Sequence, residues 1–312
     1  MPTAAPVAPR KRPRSSRAAR ENRAGYGFIA PWLVGLAVFV VGPMAASLYF
    51  AFTDYNLLQP PQFIGIQNFV QMFTEDPRYM NAVRVTLTYV AVSVPMQLLF
   101  ALLLALLLNR AISGVGVYRA AFYLPSLIGG SVAVAVLWRQ VFGRGGLLNQ
   151  ALGALGVDAA TSWIGNPETA LWTLVILNVW TFGSPMVIFL AGLRQIPSSL
   201  YEAAAVDGAS PARQFLNITL PLLTPIVFFN IILQTIAAFQ AFVPAYIISG
   251  GRGGPADSTL FYTLYLYQRG FASFDMGYAS AMAWILLLTI AIVTAAHFLF
   301  SRYWVFYGDD EK

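Results

Sequence analysis

The chain has 312 residues, 58% hydrophobic and 10% charged, with a mean hydropathy of +0.64; soluble globular domains carry about 25% charged residues, so it reads as an integral membrane protein. Cysteine is absent, which excludes disulfides and thiolate sites. Most of the +6 charge gathers in the first 23 residues, where Arg10, Lys11, Arg12, Arg14, Arg17, Arg20 and Arg23 meet one acid, Glu21.

That Pro/Ala/Ser-rich stretch, residues 1–26, reads as a basic disordered tail held in the cytoplasm, since basic residues before an apolar run stay inside. No nucleic-acid partner is expected. Residues 27–80 read as the first transmembrane helix and its external loop, with an apolar run from Phe28 to Phe52 that is too long for a cleaved signal peptide. Five further stretches approach the roughly 20 apolar residues of a span: 86–108, 120–141, 169–193, 222–248 and 277–300. They define a core of residues 81–301, followed by a cytoplasmic tail, 302–312. The fold class is therefore all-α, with six spans in the bilayer and both termini on one side. With the N-terminus inside, thirteen of the nineteen Lys/Arg are cytoplasmic; the outer six are Arg78, Arg84, Arg139, Arg144, Arg252 and Arg269. The bias follows the positive-inside rule.

Helix-interrupting residues recur: Pro31 and Pro43, Pro95, Pro125 with Gly129 and Gly130, Pro185, and Pro244. Freed backbone groups in a bilayer must find partners in neighbouring helices or a wet cavity, so a bundle bent around a pathway is expected. The outer run Gly250 to Pro255 reads as a flexible turn; no helix start with Ser, Thr or Lys follows it to make an anion site. No internal repeat joins the two halves, which weighs against a secondary carrier built from inverted repeats.

The only lysines, Lys11 and Lys312, lack the Gly-rich context of a phosphate loop. The chain should hold no ATP and no magnesium itself. His297, the only histidine, has no second ligand for a metal and reads as a packing residue. No cluster of Asp, Glu, His or Cys lies within the spans, so an enzyme is not expected.

Between the fourth and fifth spans, Ser199 to Pro221 form a polar island. Ser199 and Glu202 have the spacing of a capping box, Gly208 suits a left-handed helix end, and Ser210-Pro211 suits a second start. Pro221 should close the segment by disfavouring helix at Leu220. Helix, tight turn, helix is the expectation, with an ordinary interfacial connector left open by these residues alone. The spacing Glu202-Ala203-Ala204, Gly208, Ile218, Leu220-Pro221 resembles the coupling motif of type I ABC importer permeases. The likeness covers nearly the whole chain after the basic tail and is nearest the sugar permeases of the MalF/UgpA kind. Supporting stretches are Phe50 to Tyr55, Phe63 to Phe69, Tyr123 to Pro125, Gly192 to Pro197, Asp207 to Ser210 and Phe274 to Ala279.

The resemblance implies a heterodimer with a second permease, two copies of a cytoplasmic ATPase that bind ATP and Mg, and an extracytoplasmic sugar-binding protein. Glu202, Ala203, Ala204, Asp207, Gly208, Ala209, Pro211 and Phe215 would then couple the chain to the ATPase. Polar residues within spans mark a pathway by default. These are Asn178, Trp180, Thr181 and Ser184 in the fourth, and Asn230, Gln234 and Gln240 in the fifth. The resemblance adds Ala238 and Ala241, where the maltose prototype has larger polar residues. Amides and hydroxyls suit neutral polyols, although they could equally bond across helices to the partner permease. Glycerol phosphate or another solute is the alternative cargo within this class, and an ion-coupled secondary transporter is the alternative of another class.

Overall fold

The computed structural model describes residues 15–109, 114–157 and 161–306, with no side-chain description for 15–24 and 115. The first 14 residues of the basic tail, Arg110, and the last six residues lie outside this set. Helix α1 (Ser15–Leu36) begins within the segment read as a disordered tail and carries Pro31 in its interior. A five-residue π-helical stretch, Ala37–Val41, joins it to α2 (Gly42–Phe50). In that wide turn Gly42 N–H donates to Ala37 O, one residue further back than in an α-helix. This gives the chain room to carry Pro43 without a break.

The loop after the first span forms a two-stranded antiparallel ribbon, β1 (Thr53–Asp54) with β2 (Gln62–Phe63), in which Thr53 opposes Phe63. Helix α3 (Gln67–Thr74) follows, and the buried Asn68 amide donates to the carbonyls of Ala51 and Thr53, both at 3.0 Å. Helix α4 (Pro77–Leu108) opens with Asp76 as N-cap, accepting from Arg78 N–H and Tyr79 N–H. It runs unbroken through Pro95 and forms the central post of the bundle.

The third span departs from expectation. In place of one helix over 120–141 there are two, α5 (Val115–Ile128) and α6 (Val132–Phe142), and α6 with the short α7 (Leu147–Ala154) lies bent by 95° from α5. The break falls at Gly129-Gly130-Ser131, where Ser131 turns extended and its hydroxyl caps α6 by accepting from Val134 N–H. The fourth span is also a broken pair, α8 (Ala170–Trp180) and α9 (Gly183–Leu193), bent by 40°. Pro185 sits in the first turn of α9, where a missing N–H costs least.

Between the fourth and fifth spans come α10 (Ser198–Val206) and α11 (Pro211–Gln214). A π-helical stretch, Phe215–Thr219, then leads into α12 (Leu220–Phe239), and α13 (Val243–Ser249) completes that span. Here the expectation that Pro221 closes the segment is wrong. Leu220 is helical (φ −63°, ψ −47°) and its N–H reaches back to Phe215 O, the same widened turn that precedes Pro43. Helix α14 (Tyr262–Tyr267) and a π-helical turn, Gln268–Ala272, lie in the last connection before α15 (Met276–Ser301). Among the described residues four helices are long and apolar enough to cross a membrane, and counting each bent pair as one span brings the number to six.

The core is centred on α4, α8, α9, α12 and α14, with Tyr79, Phe189, Phe261, Leu264 and Met282 fully buried. Outward faces remain apolar, as at Phe39, Leu99 and Ile292, which are 80%, 60% and 67% exposed. That is the pattern of helices whose solvent is lipid. Part of the segment read as a C-terminal tail folds back: Phe306 N–H donates to Thr224 Oγ1, and the Trp304 ring packs on Phe228.

Candidate functional site: a polar cavity and an exposed hairpin

The break between α8 and α9 frees backbone groups in mid-bundle, and side chains from α4 and α5 take them up. Thr181 O accepts from Gln97 Nε2 at 3.1 Å and from Ser126 Oγ at 2.7 Å. Ser126 Oγ in turn accepts from Ser184 N–H at 3.0 Å. Gln97 Nε2 also reaches Thr181 Oγ1, which donates to Asn178 O, and Asn178 Nδ2 donates to Gln97 Oε1 at 3.1 Å. Satisfying the break in this way is what lets a helix bend inside an apolar medium.

The same break allows α5 to lie directly against α9. A side chain at Gly183 would meet Tyr123 Cα and Ser126 Oγ at 2.8 Å, and one at Gly129 would strike Thr181 Cγ2 at 2.2 Å. Beside this contact is a cavity of about 320 Å³, lined by Tyr89, Gln97, Ser126, Asn178, Thr181, Ser184 and Gln234, with Ala241 and Pro244 at one wall. Every polar lining group is neutral.

Of the residues expected along a pathway, Asn178, Thr181, Ser184, Gln234 and Ala241 meet in this cavity. Four lie elsewhere. Trp180 packs on Trp138 with ring centroids 5.9 Å apart, Ala238 is buried in the core, and Gln240 is an exposed helix end. Asn230 is fully buried, with neither amide atom bonded to a protein group among the described residues. Gln97 and Ser126 were missed by sequence reasoning. Each is a polar residue one or two positions from a span proline, Pro95 and Pro125, and that pairing was the available signal.

A helix, a tight turn and a second helix are present at α10 and α11, by different means at the start and with the second helix running on into α12. Pro197 is the N-cap of α10 and no side chain caps it, so the Ser199–Glu202 capping box is absent. The C-terminus has the reciprocal bonds of a Schellman motif: Ala209 N–H donates to Ala204 O at 2.9 Å and Gly208 N–H to Ala205 O at 3.0 Å. Gly208 holds φ +74° with open space about it, and Ser210 Oγ caps α11, accepting from Arg213 N–H. Glu202, Ala203, Asp207, Gly208 and Pro211 are exposed, while Ala204, Ala209 and Phe215 are half-buried. Val206, Leu216 and Leu200 leave apolar side chains 89%, 58% and 42% exposed on this face.

At the opposite end, the stretches Phe50 to Tyr55, Phe63 to Phe69 and Phe274 to Ala279 converge. Gly277 N–H donates to Tyr55 O at 3.0 Å, an approach so close that a Cβ at 277 would lie 2.1 Å from Thr53 O. Asp76 Oδ2 accepts from Tyr265 and Tyr278 hydroxyls at 2.5 and 2.7 Å. Burial works against the Asp76 charge, but these two hydroxyls, the Tyr79 N–H and the positive charge of Arg269 outweigh it and hold the carboxyl below its ordinary value. Arg78 makes a two-pronged pair with Asp257, at 2.8 and 2.9 Å. The Gly250 to Pro255 run is thereby tied at its far end, and Gln268 Nε2 donates into it at Gly251 O.

A bent, six-pass helical bundle with a polar cavity at the helix breaks and an exposed two-helix hairpin on one face is a membrane permease architecture. Residues 77–304 match the family model described as the inner membrane component of binding-protein-dependent transport systems, and the chain belongs to that family. It is similar to the probable ABC transporter permease protein YesP of Bacillus subtilis (strain 168), with 54% identity across 97% of both chains. It is 31% identical to the lactose transport system permease protein LacF of Rhizobium radiobacter over 89% of this chain and 94% of the relative. The sn-glycerol-3-phosphate permease UgpA of Yersinia pestis is 34% identical over 88% and 92%. The fold matches a chain of a bacterial alginate ABC transporter, solved in complex with an alginate pentasaccharide-bound periplasmic protein, with a TM-score of 0.80 at 22% identity over 93% of this chain and 98% of that one.

Proposed function

We propose that the chain is the translocation subunit of an ATP-driven importer for a neutral carbohydrate, working as a heterodimer with a second permease. An external binding protein delivers the solute, which passes the cavity between α4, α5, α8, α9 and α12. The observation that carries the cargo class is the cavity lining: amides and hydroxyls that donate and accept hydrogen bonds, with no charged group among them. The relatives named for lactose and for starch degradation products support this. Glycerol phosphate, the cargo in another relative's name, would leave its charge unmatched by this subunit.

The α10–α11 hairpin is the proposed docking element for the ATPase, which binds ATP and Mg in two copies beneath the membrane. Its exposed apolar residues, Val206 and Leu216, and its small ones, Ala203 and Gly208, suit close approach of a partner. The helical run from Pro211 to Phe239 would carry movement of the hairpin to Gln234 at the cavity. The basic N-terminus supports a cytoplasmic position for the hairpin. Reconstitution in proteoliposomes with both permeases, the ATPase and the binding protein tests the reading: uptake of labelled lactose or maltotriose should require ATP and all four components.

A further inference from the structure

The bonds around Thr181 have a direction that chemistry fixes. Thr181 O is a backbone carbonyl and can only accept, so the Gln97 side chain, 2% exposed, must turn its NH2 toward it. Gln97 Oε1 is then committed to face Asn178, and Asn178 must present its own NH2 there. What Asn178 has left for the cavity is its carboxamide oxygen and one N–H. The neighbouring hydroxyls are already used: Thr181 Oγ1 donates to Asn178 O, and Ser126 Oγ donates to Thr181 O while accepting from Ser184 N–H. Among the described residues no protein donor ends on Asn178 Oδ1.

We infer that Gln97 is a positioning residue that locks the Asn178 amide with its oxygen toward the cavity, so that this position accepts from a donating hydroxyl of the solute. This rests on the carbohydrate reading for its cargo, while the orientation of the amide stands independently. The helix break thus does two jobs. It bends the span, and through Gln97 it sets the polarity of a side chain that Thr181 does not reach directly with its carbonyl.

Acid-for-amide substitutions test the direction. Asn178→Asp has no donor for Gln97 Oε1 when ionised and regains one when protonated, and a carboxyl opposite an acceptor titrates above its ordinary value of about 3.9. Gln97→Glu likewise loses its donor to Thr181 O until protonated. In the assembled transporter in nanodiscs, both variants should melt below wild type at about pH 8 and regain most of the difference by about pH 5. Asn178→Leu and Gln97→Leu should show no such recovery. In uptake assays with labelled lactose and maltotriose, Gln97→Leu should raise KM about tenfold, with Vmax changed less than about twofold. An Asn178→Asp variant that melts like wild type at both pH values would overturn the inference, as would a lowered melting point that acid does not restore. If the wild type takes up neither sugar, the carbohydrate reading fails, and the melting series still decides the orientation.

Discussion

The Tyr201 hydroxyl lies 2.8 Å from Thr219 Oγ1, joining α10 to the π-helical turn at the foot of α12. The hairpin is therefore bonded to the span it precedes, and not merely connected to it by chain. Replacing Tyr201 with Phe removes this bond and should leave a hairpin that still binds the ATPase but transmits its movement poorly. The expected result is ATP hydrolysis within about twofold of wild type with uptake reduced several-fold. Equal losses in both would mean the bond serves stability alone.

Gly208 tests the turn itself. Its φ of +74° costs any residue with a Cβ about 1 kcal/mol, less for Asn, and there is open space around it within this chain. Gly208→Asn should therefore be nearly silent in thermal stability. Gly208→Leu should uncouple hydrolysis from uptake while insertion remains normal, because the added side chain projects where a partner must approach. Wild-type transport by Gly208→Leu would count against the docking role.

Gly183 is constrained by contact, since a methyl group there meets the backbone of Tyr123 and Phe122 at 2.8 and 2.9 Å. Gly183→Ala should push α5 away from α9 and cost about 1–3 kcal/mol. Loss of thermal stability, together with new solvent accessibility at a reporter cysteine placed at Ser126, would register the separation.

The cluster of Asp76 with Tyr265 and Tyr278 should be acid-sensitive only at extreme pH. Because the folded Asp76 carboxyl titrates below its ordinary 3.8, the stability it contributes is complete above that value and is lost as pH falls through the lower, folded one. Melting of the wild type should thus be flat with respect to this group from neutrality down to about pH 4. Asp76→Asn should lower stability across that whole range, and Tyr265→Phe with Tyr278→Phe should reproduce part of the loss.

Much of this molecule was legible in its residues because lipid imposes length and polarity rules on every span. Six apolar runs, the Gly208 turn and the Ser210-Pro211 helix start could be read directly. The errors fall where local rules were overridden. Pro221 was read as a terminus, but a widened turn before it lets the helix continue, a device that leaves no mark in residue pattern. Ser199 and Glu202 have capping-box spacing, but the chain enters α10 from extended Pro197, two residues before the N-cap position that box requires. The third span reads as one apolar run, whereas its 95° bend falls where Gly129 lies directly against Thr181 of the fourth span. Gln97 was missed because its partner, Thr181 O, is freed only by a break in a span 84 residues away.

The central claim is that this chain moves solute only when an ATPase acts on the α10–α11 hairpin. The most direct measurement is uptake of labelled lactose or maltotriose into proteoliposomes holding both permeases and the binding protein, with the ATPase active, inactivated at its ATP site, or omitted. Uptake should appear with the active ATPase alone and vanish in the other two. Uptake that persists without ATP hydrolysis, driven by an ion gradient, would contradict the account.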